Sequence, residues 1–176
     1  MAYSFSSPHS SVPSILNLNS KMTSADENII KQEDTTSFIN FEDITIPTGN
    51  RITGFVLLVN AFFDPNNTED DVWTMSVNGG AFSDAIAAST SYGTSFATIT
   101  HGSSTTTWGV SETLLNNPST INFDEIVVRY TRADEVVFYI DQLVLLAYYA
   151  PLVEPPGGQI KLSHGQVAIS EGRISL

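Results

Sequence analysis

The strongest constraint on this chain comes from two long, nearly unbroken apolar runs, Ile52 to Phe63 and Val136 to Tyr149. Both are rich in Val, Ile, Phe and Tyr, the side chains that fit a pleated, buried surface. A strand with one wet face would alternate apolar and polar residues. The first run does not, so it is expected to be buried on both faces, near the centre of a sandwich. Neither run approaches the ~20 apolar residues of a membrane-spanning helix.

Shorter strand signals surround these runs. Thr36 opens a strand-like stretch through Phe38-Ile39-Asn40-Phe41, and Ile44-Thr45-Ile46 alternates with period two before Pro47-Thr48-Gly49-Asn50 ends it. Val72 to Val77 reads as a strand running into Asn78-Gly79-Gly80, a backbone suited to positive φ and so to a hairpin, with Ala81 to Ala88 as the return strand and bulge. Phe96 to Thr100 and Phe123 to Thr131 are further strands, and Arg132-Ala133-Asp134-Glu135 is a polar turn. Ser111-Glu112-Thr113-Leu114-Leu115 is the one short helix expected, with Ser111 as cap and Glu112 in its first turn. Strands at this spacing predict an all-β antiparallel sandwich over residues 36–150.

The flanks have a different character. Residues 1–35 read as an extended N-terminal arm, Ser-rich at its start, with an apolar island at Ile15, Leu16 and Leu18. Pro151, Pro155, Pro156, Gly157 and Gly158 mark a linker over 151–158. The tail, 159–176, repeats every seven residues: Ile160-Lys161-Leu162-Ser163-His164-Gly165-Gln166, then Val167-Ala168-Ile169-Ser170-Glu171-Gly172-Arg173, then Ile174-Ser175-Leu176. The apolar residues are spaced by two, and a Gly in every repeat would cost a helix roughly 1 kcal/mol each, so the repeat is β and not coiled coil. Each unit is a three-residue strand plus a turn, too short to bury a core alone. The residues expected to carry assembly are therefore Ile15, Leu16 and Leu18 in the arm and Ile160, Leu162, Val167, Ile169, Ile174 and Leu176 in the tail.

Charge narrows the partners. Nineteen Asp and Glu against seven Lys and Arg give a net charge of −12. Such a chain repels phosphate backbones and anionic bilayers, so neither nucleic-acid binding nor membrane insertion is expected. With no cysteine, there are no disulfides or thiolate metal sites. The opening MAYSFSSPHSSVPS lacks a positive region followed by an apolar stretch and does not read as a secretory signal.

Catalytic patterns are sparse, and no cofactor is expected. His9, His101 and His164 sit at no mutual metal-binding spacing and read as surface or turn residues. Asp134-Glu135 falls where a turn demands polarity, and Asp141 is a lone acid in a strand, so neither suggests a paired-carboxylate site. The loop from Asp64 to Asp71 is rich in oxygen donors. Asp64, Asn66, Asp70 and Asp71 are the calcium candidates, against the competing reading of a solvated acidic loop. Trp73, Trp108, Tyr92, Tyr148 and Tyr149 are the aromatics available for a sugar platform, with Trp73 expected in the core.

Several segments taken in order, Phe41 to Gly49, Ile52 to Val56, Met75 to Gly80, Gly102 with Trp108-Gly109, Phe123 with Ile126-Val127-Val128, and Ile140-Asp141 ahead of Val144 to Tyr149, give residues 36–150 their family character. This stretch resembles the jelly-roll-like β-sandwich domains of phage tail and other virion structural proteins, also seen in bacterial surface proteins. The resemblance implies a fold and a structural setting, not a catalytic residue. The resulting expectation is a non-enzymatic subunit of a bacteriophage-like virion, such as a fibre, decoration, head or tail component. Its partners would be copies of itself in a trimer, ring or helical array, and other virion proteins, joined when terminal segments add strands to neighbours. The alternatives are a subunit of an extracellular filament or surface appendage, and a carbohydrate-binding module for a cell-surface glycan.

Overall fold

The structure, a computed structural model, describes residues 1–12, 30–32, 36–64, 72–86, 92–131, 137–152, 161–163 and 166–168. The strands are β1 (Ala2–Ser6), β2 (Ser10–Val12), β3 (Ile30–Gln32), β4 (Thr36–Ile39), β5 (Asn50–Asp64), β6 (Val72–Ser76) and β7 (Ala97–Gly102), followed by helix α1 (Glu112–Asn116). Next come β8 (Val127–Thr131), β9 (Val137–Pro151), β10 (Lys161–Ser163) and β11 (Gln166–Ala168). One antiparallel sheet runs β1-β9-β5-β7, with β3 also paired to β9, and a second runs β2-β4-β8-β6. The chain is all-β, as its sequence predicts.

The two long apolar runs become β5 and β9, and they pair with each other from Asn50↔Pro151 to Asp64↔Val137. The register slips twice, between Ile52 and Gly54 and between Asn60 and Ala61. At the second slip Asn60 faces Gln142 and Ala61 faces Ile140, which leaves Asp141 as the extra residue of a bulge on β9. Period-two alternation sends Phe55, Leu57, Val59 and Ala61 into the core, all fully buried. The second sheet answers with Phe38, Trp73, Met75, Val128 and Tyr130. Aromatic rings join the layers, with Tyr130 stacked on Phe138 at 4.8 Å and Trp73 6.3 Å from the same ring, while within the second sheet Trp73 lies 5.3 Å from Tyr130 and 6.1 Å from Phe38. Burying each such side chain is worth about 1.5–3 kcal/mol, so this seam dominates the stability of the sandwich.

Several local expectations hold. Asn78 and Gly79 take φ of 52° and 67° at the end of β6. Ser111 caps α1 by accepting a hydrogen bond from the Leu114 amide, and Leu115 is the residue this helix buries.

Others do not, each for a local reason. Residues 81–86 run beside β6 through Ser83 N–H to the Met75 carbonyl and Ile86 N–H to the Trp73 carbonyl, but form no strand. The Ser83 hydroxyl accepts from the Met75 amide and so replaces a backbone partner. Ile44-Thr45-Ile46 is not a strand. Asn40 at φ 66° and a turn at Glu42-Asp43 redirect the chain, so Phe41 and Ile44 enter the core from a loop. Phe123–Glu125 is a 3₁₀ turn started by Asn122, whose side chain accepts from the Asp124 amide, and β8 begins only at Val127.

Candidate assembly surfaces

The first nine residues, expected as an arm reaching to neighbours, are extended but lie on their own chain. β1 pairs with β9 from Ala2↔Tyr149 to Ser6↔Leu145, and β2 pairs with β4. The serines that mark the start of the arm are what hold it. Ser4 Oγ accepts from the Thr45 amide at 2.8 Å, Ser6 Oγ donates to Asp43, and Ser6 and Ser7 are buried. His9 closes the latch, with Nδ1 3.2 Å from Glu42 and Nε2 3.1 Å from Asp43. Ile15, Leu16 and Leu18 lie outside the described residues.

In the tail, β10 and β11 form an antiparallel hairpin in register Lys161↔Ala168, Leu162↔Val167 and Ser163↔Gln166. Leu162 and Val167, from successive repeats, are thus brought opposite each other. Among the described residues this hairpin pairs with neither large sheet. Ile160, Ile169, Ile174 and Leu176 lie outside the described residues.

Of the calcium candidates, Asp64 is the last residue of β5, paired in register with Val137, while Asn66, Asp70 and Asp71 lie outside the described residues, as do Asp134, Glu135 and His164. The described residues contain no cluster of three or more potential metal ligands. No helix among them is long and apolar enough to cross a membrane. Of the sugar-platform aromatics, Trp73 and Trp108 are both buried in the core, Trp108 donating its indole N–H to the Phe55 carbonyl at 2.9 Å.

His101 departs from its reading as a turn residue. It lies in β7, fully buried, because its register position opposite Leu57 faces the core. Burial lowers its pKa below the usual 6.5, with the hydrogen bond to the Ile86 carbonyl acting weakly in the other direction. Asp141 is likewise buried, at the β9 bulge.

The feature that sequence reasoning missed is the outer face of the larger sheet. The Ile52 to Phe63 run suggested burial on both faces, yet only one face of β5 and β9 meets the second sheet. The other carries Leu58 on β5 and Val144, Leu146 and Tyr148 on β9, continued onto β1 by Tyr3 and Phe5, which are 53% and 60% exposed. Beside β1 this face forms a shallow groove of about 620 Å³. The signal was present in the apolar residues at even positions of the run, which a single-faced strand does not need.

Comparison of the chain with protein-family models, with curated proteins and with solved structures finds no match.

Proposed function

We propose that this chain is a non-enzymatic structural subunit of a bacteriophage-like virion: a jelly-roll body present in many copies and joined to its neighbours by terminal strands. The observation that carries the reading is the β10–β11 hairpin. Strands of three residues are too short to be stable as an isolated pair, and this pair hydrogen-bonds to neither large sheet among the described residues. A seven-residue β-repeat gains stability by stacking on like units, and copies of the same chain supply them.

The strand order supports the jelly-roll part of the reading. One sheet interleaves early and late strands as β1-β9-β5-β7, and the other places β4 beside β8 and β8 beside β6, with residues 81–86 running along the far side of β6. With β2 and β3 taken as additions, that is the alternation expected of two Greek keys wrapped into one sandwich.

Truncation after Pro156 tests the proposal. The full chain should form particles visible by electron microscopy, or closed oligomers by light scattering. The truncated chain should keep its far-UV and near-UV circular dichroism but lose that assembly. Assembly undiminished by the truncation would refute the role given to the tail.

A further inference from the structure

We propose that the outer face of the larger sheet is a contact between copies of this chain, turned inward toward the symmetry axis of a closed homo-oligomer. The inference rests on the reading of the chain as an assembling subunit, but on a different surface from the tail.

The face can be followed row by row from the strand registers. Tyr3 lies beside Tyr148. Phe5, Leu146, Val56 and Gly102 form the next row, and Val144, Leu58 and Thr100 the one after. Gln142, Asn60 and Thr98 then make a neutral polar row, in which the Asn60 amide donates to Thr98 at 3.1 Å. An aromatic row closes the face, where Phe62 stacks on Tyr139 at 4.7 Å and meets Phe96 edge-on at 4.6 Å.

From the Tyr3–Tyr148 row to the Gln142–Asn60–Thr98 row, no described outward side chain is charged. The nearest acids are Asp141, buried at the bulge, and Asp43, held by His9 at the rim. The aromatic row ends at β3, where Lys31 is the register partner of Tyr139.

Charge and area both point to a second copy as the occupant. A chain of net charge −12 repels itself over most of its surface, so copies can approach closely only along a charge-free seam. A basic partner would be drawn to the acidic surface and would gain nothing here. Aromatic enrichment with charge depletion is also the composition of a homo-oligomer core. As for area, about 30 Å of strand across three to four strands about 4.8 Å apart gives roughly 430–580 Å² per copy. Two copies together then come to about the ~1,000 Å² that a specific interface needs.

The chain has no cysteine, so Val144→Cys introduces a unique reporter with little change in volume. In the full-length protein at assembling concentration its thiol should be shielded from a maleimide, and should become reactive on dilution to monomer. Tyr3→Lys with Phe5→Lys changes two exposed positions, so the fold survives. Its near-UV circular dichroism should match the wild type, while its mass by light scattering falls to the 19.1 kDa monomer.

A wild-type protein that is monomeric at every concentration would overturn the proposal. So would a Val144→Cys thiol that is shielded in the monomer, because the face would then be covered by its own chain. If the paired Lys substitutions leave assembly intact while truncation after Pro156 abolishes it, the face proposal fails and the tail reading stands. The reverse pattern supports the face and removes the tail.

Discussion

The Tyr92 hydroxyl shares a hydrogen bond with Nε2 of His101 at 2.7 Å, while Nδ1–H of the same ring donates to the Ile86 carbonyl at 3.2 Å. Both ring nitrogens are used: Nδ1 donates to a carbonyl that can only accept, and in the neutral ring that burial favours Nε2 accepts from the phenol. Trp73 and Phe138 pack nearby, Trp73 against His101 and Phe138 against Tyr92. Tyr92 is the titratable group shown in contact with the ring.

This pair sets a pH dependence. In the unfolded chain His101 takes up a proton near pH 6.5, whereas burial holds the folded ring neutral to lower pH. Between those two values the unfolded state binds more protons, so the contribution of His101 is complete above pH 6.5 and lost as pH falls through that window. The slope is at most ~1.4 kcal/mol per pH unit. Urea unfolding at pH 7.5 and 5.5 should show this loss in the wild type, and His101→Gln should show a smaller one. Equal losses in both proteins would exclude His101 as the cause.

Gly54 is confined by backbone. A Cβ there would meet Ser104 C at 2.6 Å, Thr105 N at 2.7 Å and Ser103 O at 2.8 Å, none of which can rotate away. Gly54→Ala should therefore cost about 2 kcal/mol or more by forcing the 103–105 loop off β5. Gly79 has φ +67° but open space around it, so Gly79→Ala should cost only about 1 kcal/mol, from backbone strain. Urea midpoints rank the two, and the opposite order would contradict this account.

The long strands and the core were legible because side-chain alternation and apolar content report burial directly. Phe55, Leu57, Val59, Trp73 and the capped helix at Ser111 fall where the sequence places them. What escaped were cases where a single polar side chain outcompetes the ladder. Ser83 takes the Met75 amide, Asn122 takes the Asp124 amide, and Ser4 takes the Thr45 amide. Serine abundance suggested an extended arm reaching to neighbours, yet the same hydroxyls fasten β1 to its own body. His101 was misplaced because a one-residue difference in register decides between core and solvent, and composition does not fix register. At the outer face, two-sided apolarity reads the same whether a face is covered by the fold or by another copy.

Trp108 ties the loop after β7 to β5. Its backbone sits at φ 52°, an unusual conformation for a bulky residue, and its indole N–H satisfies the Phe55 carbonyl at 2.9 Å. Trp108→Phe keeps much of the apolar volume but removes the donor from a buried acceptor, at a cost of about 1–3 kcal/mol. Hydrogen exchange should then quicken at the Phe55 amide, which donates to the Thr106 carbonyl in the same loop. Unchanged exchange there would show that the loop is held independently of the indole.

Deleting residues 1–9 asks what β1 does for the sheet. β1 covers the edge of β9 from Leu145 to Tyr149, a stretch that includes Leu146 and Tyr148 of the outer face. Without it, a row of backbone donors and acceptors flanked by apolar side chains is left unpaired, the condition under which sheets pair with other chains. The deleted protein should lose solubility or form larger species at concentrations where the full chain does not. A synthetic peptide of the sequence Ala2–Ser6, with flanking residues, should reverse this by adding back as a strand. Substituting Pro for Phe5 in the peptide should abolish the rescue, because Pro cannot donate to the ladder. If the deletion is as soluble as the full chain, the edge of β9 is protected by something other than β1.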